Sequence, residues 1–126
     1  MAPAAASPRR EEPTGTSGAA EGAARVLRTY YEMIEAGNYE AARRLREPGT
    51  REPMAADFAA AFERYASHRA TVGAPSRPVE AGGWFYVEVP VQTYGTMRDG
   101  TPFGSAGIVT LRRRQGGGDW RIYAKG

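Results

Sequence analysis

The segment Trp84–Arg114, WFYVEVPVQTYGTMRDGTPFGSAGIVTLRRR, constrains the fold of this chain more than any other. Two runs of two-residue periodicity flank Arg98-Asp99-Gly100-Thr101, a strong hairpin turn signal. Successive strand side chains point to opposite faces. Phe85, Val87, Val89 and Val91, followed by Thr93, therefore share one face, and Tyr86, Glu88, Gln92 and Tyr94 share the other. Only the first set is continuously apolar, so it is expected to face a helical layer. A two-residue Asp99-Gly100 loop would pair Arg98 with Thr101 and turn Val109 and Leu111 to the polar face. A three-residue loop, Arg98-Asp99-Gly100, pairs Met97 with Thr101, sets Val89 opposite Val109 and Val87 opposite Leu111, and keeps all four inward. A one-residue slip flips the whole set, so the second register is expected, with Gly100 in the left-handed region as a bulge after a type I turn. A bulge at Pro90 would have the same effect on parity. Pro90 has no N–H for the ladder and marks a local irregularity.

The flanking segments extend the sheet. A strand is expected within Arg69–Glu80, bent or broken near Pro75 and Pro78, and Ala81-Gly82-Gly83 turns the chain. A Gly116-Gly117 turn pairs Arg114 with Asp119, Arg113 with Trp120 and Leu111 with Ile122. The apolar face then continues through Trp120, Ile122 and Ala124.

Three helices precede the sheet. In Ala23–Ala36 the residues Ala23, Leu27, Tyr30 and Ile34 recur at helical spacing, and Gly37 stands where a left-handed C-terminal residue belongs. Asn38 is placed to cap a short helix over Tyr39–Arg46, with Tyr39, Ala42 and Leu45 inward. A third helix is predicted from about Pro53 to Ser67, with Phe58, Ala61, Phe62 and Tyr65 as its buried stripe. The fold class is α+β: three N-terminal helices packed on a curved antiparallel meander of about four strands.

Residues 1–22 are rich in Pro, Ala, Ser, Gly and charge, with little to bury, and read as a disordered tail or linker before one domain over 23–126. The chain carries 17 Lys+Arg against 14 Asp+Glu. Lys125 is the only lysine, so arginine richness follows the general abundance of Ala, Gly and Pro rather than marking a polyanion partner. Nucleic-acid binding would want a basic stripe with interleaved aromatics. Arg112-Arg113-Arg114 is the only run, and alternation splits it between faces, so no nucleic-acid partner is expected. Cysteine is absent, which excludes disulfides and thiolate chemistry. No apolar run reaches the ~18 residues of a membrane span. The compartment stays open: cytoplasmic, or periplasmic or secreted if a signal or anchor once preceded Met1.

By the same parity no acid and no histidine sits among the inward positions of the Trp84–Arg114 hairpin and the last strand. Glu88 lies outward, with Arg112 as its expected partner across the hairpin. His68, the only histidine, falls at the end of the third helix, where a cation suits the helix dipole. Asp57 falls in the first turn of that helix, expected exposed. Tyr30 and Tyr31 are adjacent and so are expected on different helix faces, Tyr30 inward. One histidine and no cysteine argue against a zinc site.

This arrangement resembles the nuclear transport factor 2-like (cystatin-like, cone-shaped) superfamily, in a small bacterial branch. The likeness is carried by VLRTYYEMIEAGNYEAARRL at 26–45, YVEVPVQTYGTMRDGTPF at 86–103 and WRIYA at 120–124. It implies a cone whose inner sheet face and helices enclose an apolar pocket, here Tyr30, Phe58, Phe62, Phe85, Val87, Val89, Val91, Val109 and Trp120. It also implies a homodimer through the outer sheet face, here Tyr86, Glu88, Gln92, Tyr94, Arg112, Arg121 and Tyr123. Relatives include isomerases, dehydratases, polyketide cyclases and non-catalytic binding domains, and fold does not choose among them. With the pocket free of titratable groups, the leading expectation is a non-enzymatic module that binds a small hydrophobic molecule or acts as a dimeric accessory, with no catalytic residue, cofactor or metal. The competing expectation is a cyclase- or isomerase-like enzyme using Asp57 or His68 with Tyr30.

Overall fold

The computed structural model describes residues 14–47 and 55–125, with side chains over 20–47 and 59–123. Its elements are α1 (Thr14–Glu35), α2 (Tyr39–Arg43), α3 (Ala55–Phe62), β1 (Tyr65–Val72), β2 (Val79–Ala81), β3 (Trp84–Met97), β4 (Pro102–Arg114) and β5 (Arg121–Lys125). The strands form one antiparallel sheet in the order β1-β3-β4-β5, with β2 also on β3. This is the expected α+β class.

The β3–β4 hairpin adopts the three-residue register. Val89 pairs with Val109 and Val87 with Leu111, and all four are buried. The Met97 N–H donates to the Thr101 carbonyl at 2.7 Å, and Gly100 has φ 92°. The ladder runs unbroken from Trp84 to Thr96 through Pro90. The irregularity expected there lies across the other edge. β1 pairs with β3 only down to Val91 and β2 only up from Tyr86. The chain between them leaves the edge, held by Gly73 N–H to the Pro90 carbonyl and Ser76 N–H to the Glu88 carbonyl, each 2.8 Å.

β5 pairs Leu111 with Ile122 as expected, but its ladder ends at Arg121, and a bulge follows between Thr110 and Leu111. The expected Arg114–Asp119 and Arg113–Trp120 ladder pairs are thus not formed. Gly116, Gly117 and Gly118 all take positive φ and carry the chain out of strand geometry. Arg114 stacks over Trp84 instead, 4.5 Å from the ring.

The helices differ from expectation in extent. α1 begins at Thr14, not Ala23, so the stretch expected as tail is helical over 14–22; the rest of that expectation lies outside the described residues. The extra turns have a partner: Ala20 is buried, and Gly22 lies over Trp120, close enough for a β-carbon to stand 3.4 Å from the indole nitrogen. Tyr30 and Tyr31 are both buried, at 0 % and 7 % exposure, with rings edge-to-face at 5.0 Å. Neighbours 100° apart fit one stripe when the apolar face is wide, and α1 is covered by both β1 and α2. Gly37 has φ 81° and closes α1. Asn38 precedes α2, but its side chain makes no capping bond. α2 stops at Arg43, and Arg46 forms a parallel bridge to Ile122, fastening the helical layer to the edge of β5.

The third helix ends at Phe62, and Tyr65, Ser67 and His68 belong to β1. Tyr65 continues the three-residue spacing from Phe62 and so imitates another helical turn. The boundary is set at Glu63-Arg64. Arg98 donates its backbone N–H to the Arg64 carbonyl at 2.9 Å and its Nε to the Glu63 carbonyl, diverting the chain into the sheet.

Candidate functional site

His68 is where sequence and structure differ most. It pairs with Gly95, as Ala70 pairs with Thr93 and Val72 with Val91. Val91 and Thr93 face the helices, so His68 does too. Its ring lies 5.0 Å from Tyr65, 5.3 Å edge-on to Phe62 and 5.7 Å from Phe103. It is nearly parallel to Tyr31, at 6.3 Å and 14°. The imidazole thus sits in a cage of four aromatic rings from α1, α3, β1 and β4, not at a helix terminus.

This cage is one wall of a cavity of about 280 Å³. β3 and β4 supply the floor, with Val91, Thr93, Ser105 and Val109, while Tyr31 and Phe62 cover it from the helices and Ala61 and Arg64 stand at its rim. The lining is therefore mixed: aliphatic and aromatic walls, the aliphatic hydroxyls of Thr93 and Ser105, the phenols of Tyr31 and Tyr65, one imidazole and one guanidinium. None of the described lining residues is acidic.

Of the residues expected to line a pocket, Phe62, Val91 and Val109 do so. Tyr30, Val87, Val89 and Trp120 are buried in the core cluster that closes the cone below, and Phe85 packs on its edge. They fill the core rather than lining the cavity. The side chains of Phe58 and Asp57 lie outside the described residues. Tyr31, Tyr65 and Arg64 are not among the expected pocket residues, and His68 enters only through the competing enzyme expectation. A cue for His68 was available, since His68, Ala70 and Val72 alternate with Arg69 and Thr71 in YASHRATV.

Arg46 is a second inward charge. Ile122, its bridge partner, is buried in the core, and the charge of Arg46 acts on the Tyr30 phenol. Burial raises the Tyr30 phenol above its ordinary value, partly offset by the charge of Arg46. Burial, reinforced by Tyr30, raises Tyr31 further, against the pull of Arg46. Both phenols therefore stay neutral in the folded state above pH 10, where an exposed tyrosine ionises. Their stabilising contribution is complete below that value and is lost as pH rises toward the folded-state values. Stability should be level below about pH 9 and then fall by up to roughly 1.4 kcal/mol per pH unit for each phenol. Urea unfolding across that range, read beside phenolate absorbance, checks this. All seven tyrosines ionising together near pH 10 in a folded protein would contradict it.

On the outer face Arg112 is the hub, and its partner is Glu47, not Glu88. Nε and Nη2 bind the Glu47 carboxylate at 2.9 and 2.5 Å, and Nη1 donates to the Tyr86 hydroxyl at 3.0 Å. The guanidinium carbon stands 3.7 Å from the Trp84 ring and 4.1 Å from the Tyr123 ring. Glu88 is exposed; its backbone N–H donates to the Ser76 hydroxyl at 2.9 Å. Glu47 reaches Arg112 because its own N–H donates to the Ile122 carbonyl at 2.8 Å, a connection that strand parity cannot show. Gln92, Tyr94 and Tyr123 are exposed on this face, and Arg121 donates to the Arg44 carbonyl at 2.6 Å.

Among the described residues no group of three or more His, Asp or Glu could hold a metal ion, and no helix is long and apolar enough to cross a membrane.

No protein-family model and no curated protein sequence matches the chain. Solved structures do. A protein of Novosphingobium aromaticivorans provisionally named an aromatic ring hydroxylase aligns at TM-score 0.64 and 12 % identity, over 87 % of this chain and 85 % of the other. A nuclear transport factor 2-like superfamily protein of Salmonella enterica aligns at 0.61 and 13 %, over 85 % and 88 %. A protein of Kribbella flavida aligns at 0.62 and 10 %, over 86 % and 88 %. With three helical segments over one curved antiparallel sheet, the chain has the nuclear transport factor 2-like fold.

Proposed function

We propose that the protein binds a small, single-ring molecule in the cone cavity, with the ring among Tyr31, Phe62 and His68 and polar contacts from Thr93 and Ser105. The observation that carries this reading is the imidazole in its aromatic cage at the wall of a cavity of about 280 Å³. That volume lies just below the ~300–1,000 Å³ typical of small-molecule sites, which suits one ring. Aromatic walls favour an aromatic guest through edge-to-face contacts. The neighbour provisionally named an aromatic ring hydroxylase shares the fold and is compatible with an aromatic occupant. The reading is tested by amide NMR titration with benzamide, phenol and indole. Saturable shifts at His68, Thr93 and Ser105 are expected, and they should vanish in the folded variants Ala61→Trp and Val109→Phe, which fill the rim and the floor. Shifts that persist unchanged in both variants would place binding elsewhere.

The same imidazole favours a second reading, proton transfer on the bound molecule. Histidine titrates near neutrality, and a well-placed general base contributes typically 10²–10⁴-fold. Exchange of the α-protons of acetophenone in heavy water should be faster with the wild type than with His68→Gln, which keeps the ring's approximate size. Equal rates would exclude His68 as the base.

The outer sheet face is read as the pairing surface for a second copy. Pro90, Ala106 and Ile108 with Tyr94 are exposed there, Tyr94 and Ile108 at 44 % each. Light scattering should give twice the chain mass for the wild type and the single mass for Tyr94→Arg. A monomeric wild type would refute it.

A further inference from the structure

Resting on the reading of the cavity as a ring-binding site, we infer that its occupant carries a carboxylate: a single-ring aromatic acid enters ring first, and Arg64 at the rim takes the anionic group. Arg64 lines the cavity mouth, where its guanidinium carbon lies 5.5 Å from the centroid of the Tyr65 ring. A cation–π contact of this kind leaves the guanidinium N–H groups available to meet a carboxylate with two parallel hydrogen bonds.

The backbone beneath Arg64 is held in place. Arg98, from the β3–β4 turn, donates to the carbonyls of both Glu63 and Arg64. The mouth is thereby tied to the far hairpin, and Arg64 projects from a braced turn rather than a loose helix end. A braced cation loses less freedom when it captures an anion.

The charge balance points the same way. Among the described residues no carboxylate lies within ion-pair distance of Arg64, and none lines the cavity. Glu63, beside it on the turn, is exposed and outside the lining. Glu40 is engaged by Arg43 and Arg44, and Glu47 by Arg112. A chamber with aromatic and aliphatic walls, a cation at its rim and no described acid in its lining repels cations, tolerates neutral rings and favours anions oriented with the charge outward.

The test compares benzoate with benzamide, which matches it in shape and lacks the charge, by NMR titration of the intact chain. Because Arg64 is exposed, the advantage is bounded: about tenfold tighter binding of benzoate at low salt, shrinking at roughly 0.5 M salt through screening. Arg64→Met should bring benzoate to the affinity that the same variant shows for benzamide, while Arg64→Lys should keep part of the preference. Benzoate binding no tighter than benzamide would overturn the carboxylate assignment and leave the ring site standing. A preference for benzoate that survives Arg64→Met would overturn the role of Arg64. If neither ring binds, the cavity reading falls and this inference with it.

Discussion

Gly95→Ala is expected to cost about 3 kcal/mol or more of folding stability, lowering the thermal midpoint by roughly 12 °C or more. Gly95 has φ 154°, at the edge of the region that side chains rarely adopt. A β-carbon there would overlap the Ser67 carbonyl oxygen and stand 2.8 Å from the Ser67 carbonyl carbon and 3.0 Å from Phe103. The obstacle is backbone from the neighbouring strand, so no rotamer change relieves it. The strand must move, and moving it strains both the β1–β3 ladder and the dihedral itself. Gly83→Ala is the fitting control. Gly83 also has positive φ, at 86°, but nothing lies within 4 Å of a β-carbon, so its cost should be limited to conformation, about 1 kcal/mol. Chemical denaturation of the two variants separates close approach from dihedral preference, and equal losses would remove the steric argument. Gly95 also matters for the site. It pairs with His68, beside the β1 irregularity between Tyr65 and Ser67, so whatever folded Gly95→Ala remains should have a displaced imidazole and weakened benzamide binding.

That irregularity also explains what could and could not be read from the residues. The β3–β4 register was legible because Val87, Val89, Val109 and Leu111 must all be inward at once, and only one loop length allows it. β1 offered no comparable constraint. Phe58, Ala61, Phe62 and Tyr65 keep helical spacing through the point where the helix stops, and the tether that stops it is Arg98, more than thirty residues away in the chain. The bulge after Tyr65 then changes which face each residue takes. From the residues alone His68 therefore reads as a helix-end residue that enters the cone only under the competing enzyme expectation, and the leading expectation is an oily cone without proton-transfer groups. The structure instead sets an imidazole in its wall, an arginine at its mouth and Arg46 against Tyr30 behind it. Arg46 and Glu47 escaped notice for a related reason: they belong to a single parallel bridge, which leaves no periodic mark. What was legible is what repeats along a strand, and what was missed depends on one long-range contact.

Arg112→Met is expected to cost about 2–3 kcal/mol, and the second change Glu47→Met should return part of that loss rather than add to it. The side chains of Arg112 and Glu47 are 17 % and 12 % exposed, so the pair lies between an exposed ion pair, worth ~0–1 kcal/mol, and a buried one, whose breakage costs roughly 3–5 kcal/mol. Glu47 hydrogen bonds, helped by Tyr86 and opposed by desolvation, hold Arg112 above the ordinary guanidinium range, so it is charged at any workable pH. Removing it leaves a largely desolvated carboxylate beside Trp84 and Tyr123, and strands the Tyr86 hydroxyl. It also frees the 45–47 edge, whose contact with β5 otherwise rests on Glu47 N–H to the Ile122 carbonyl and Ile122 N–H to the Leu45 carbonyl. Replacing both partners with apolar groups removes the orphaned charge, so the double variant should be at least 1 kcal/mol more stable than the sum of the single losses implies. Arg112→Lys tests the geometry separately. Lysine keeps the charge but cannot bind Glu47 through a fork while lying flat between two rings, so it should lose more than half as much stability as Arg112→Met. Urea unfolding of the four variants measures all of this. Strictly additive losses would mean that the two residues act independently, and a lysine variant as stable as wild type would mean that charge alone, not the stacked fork, holds the edge.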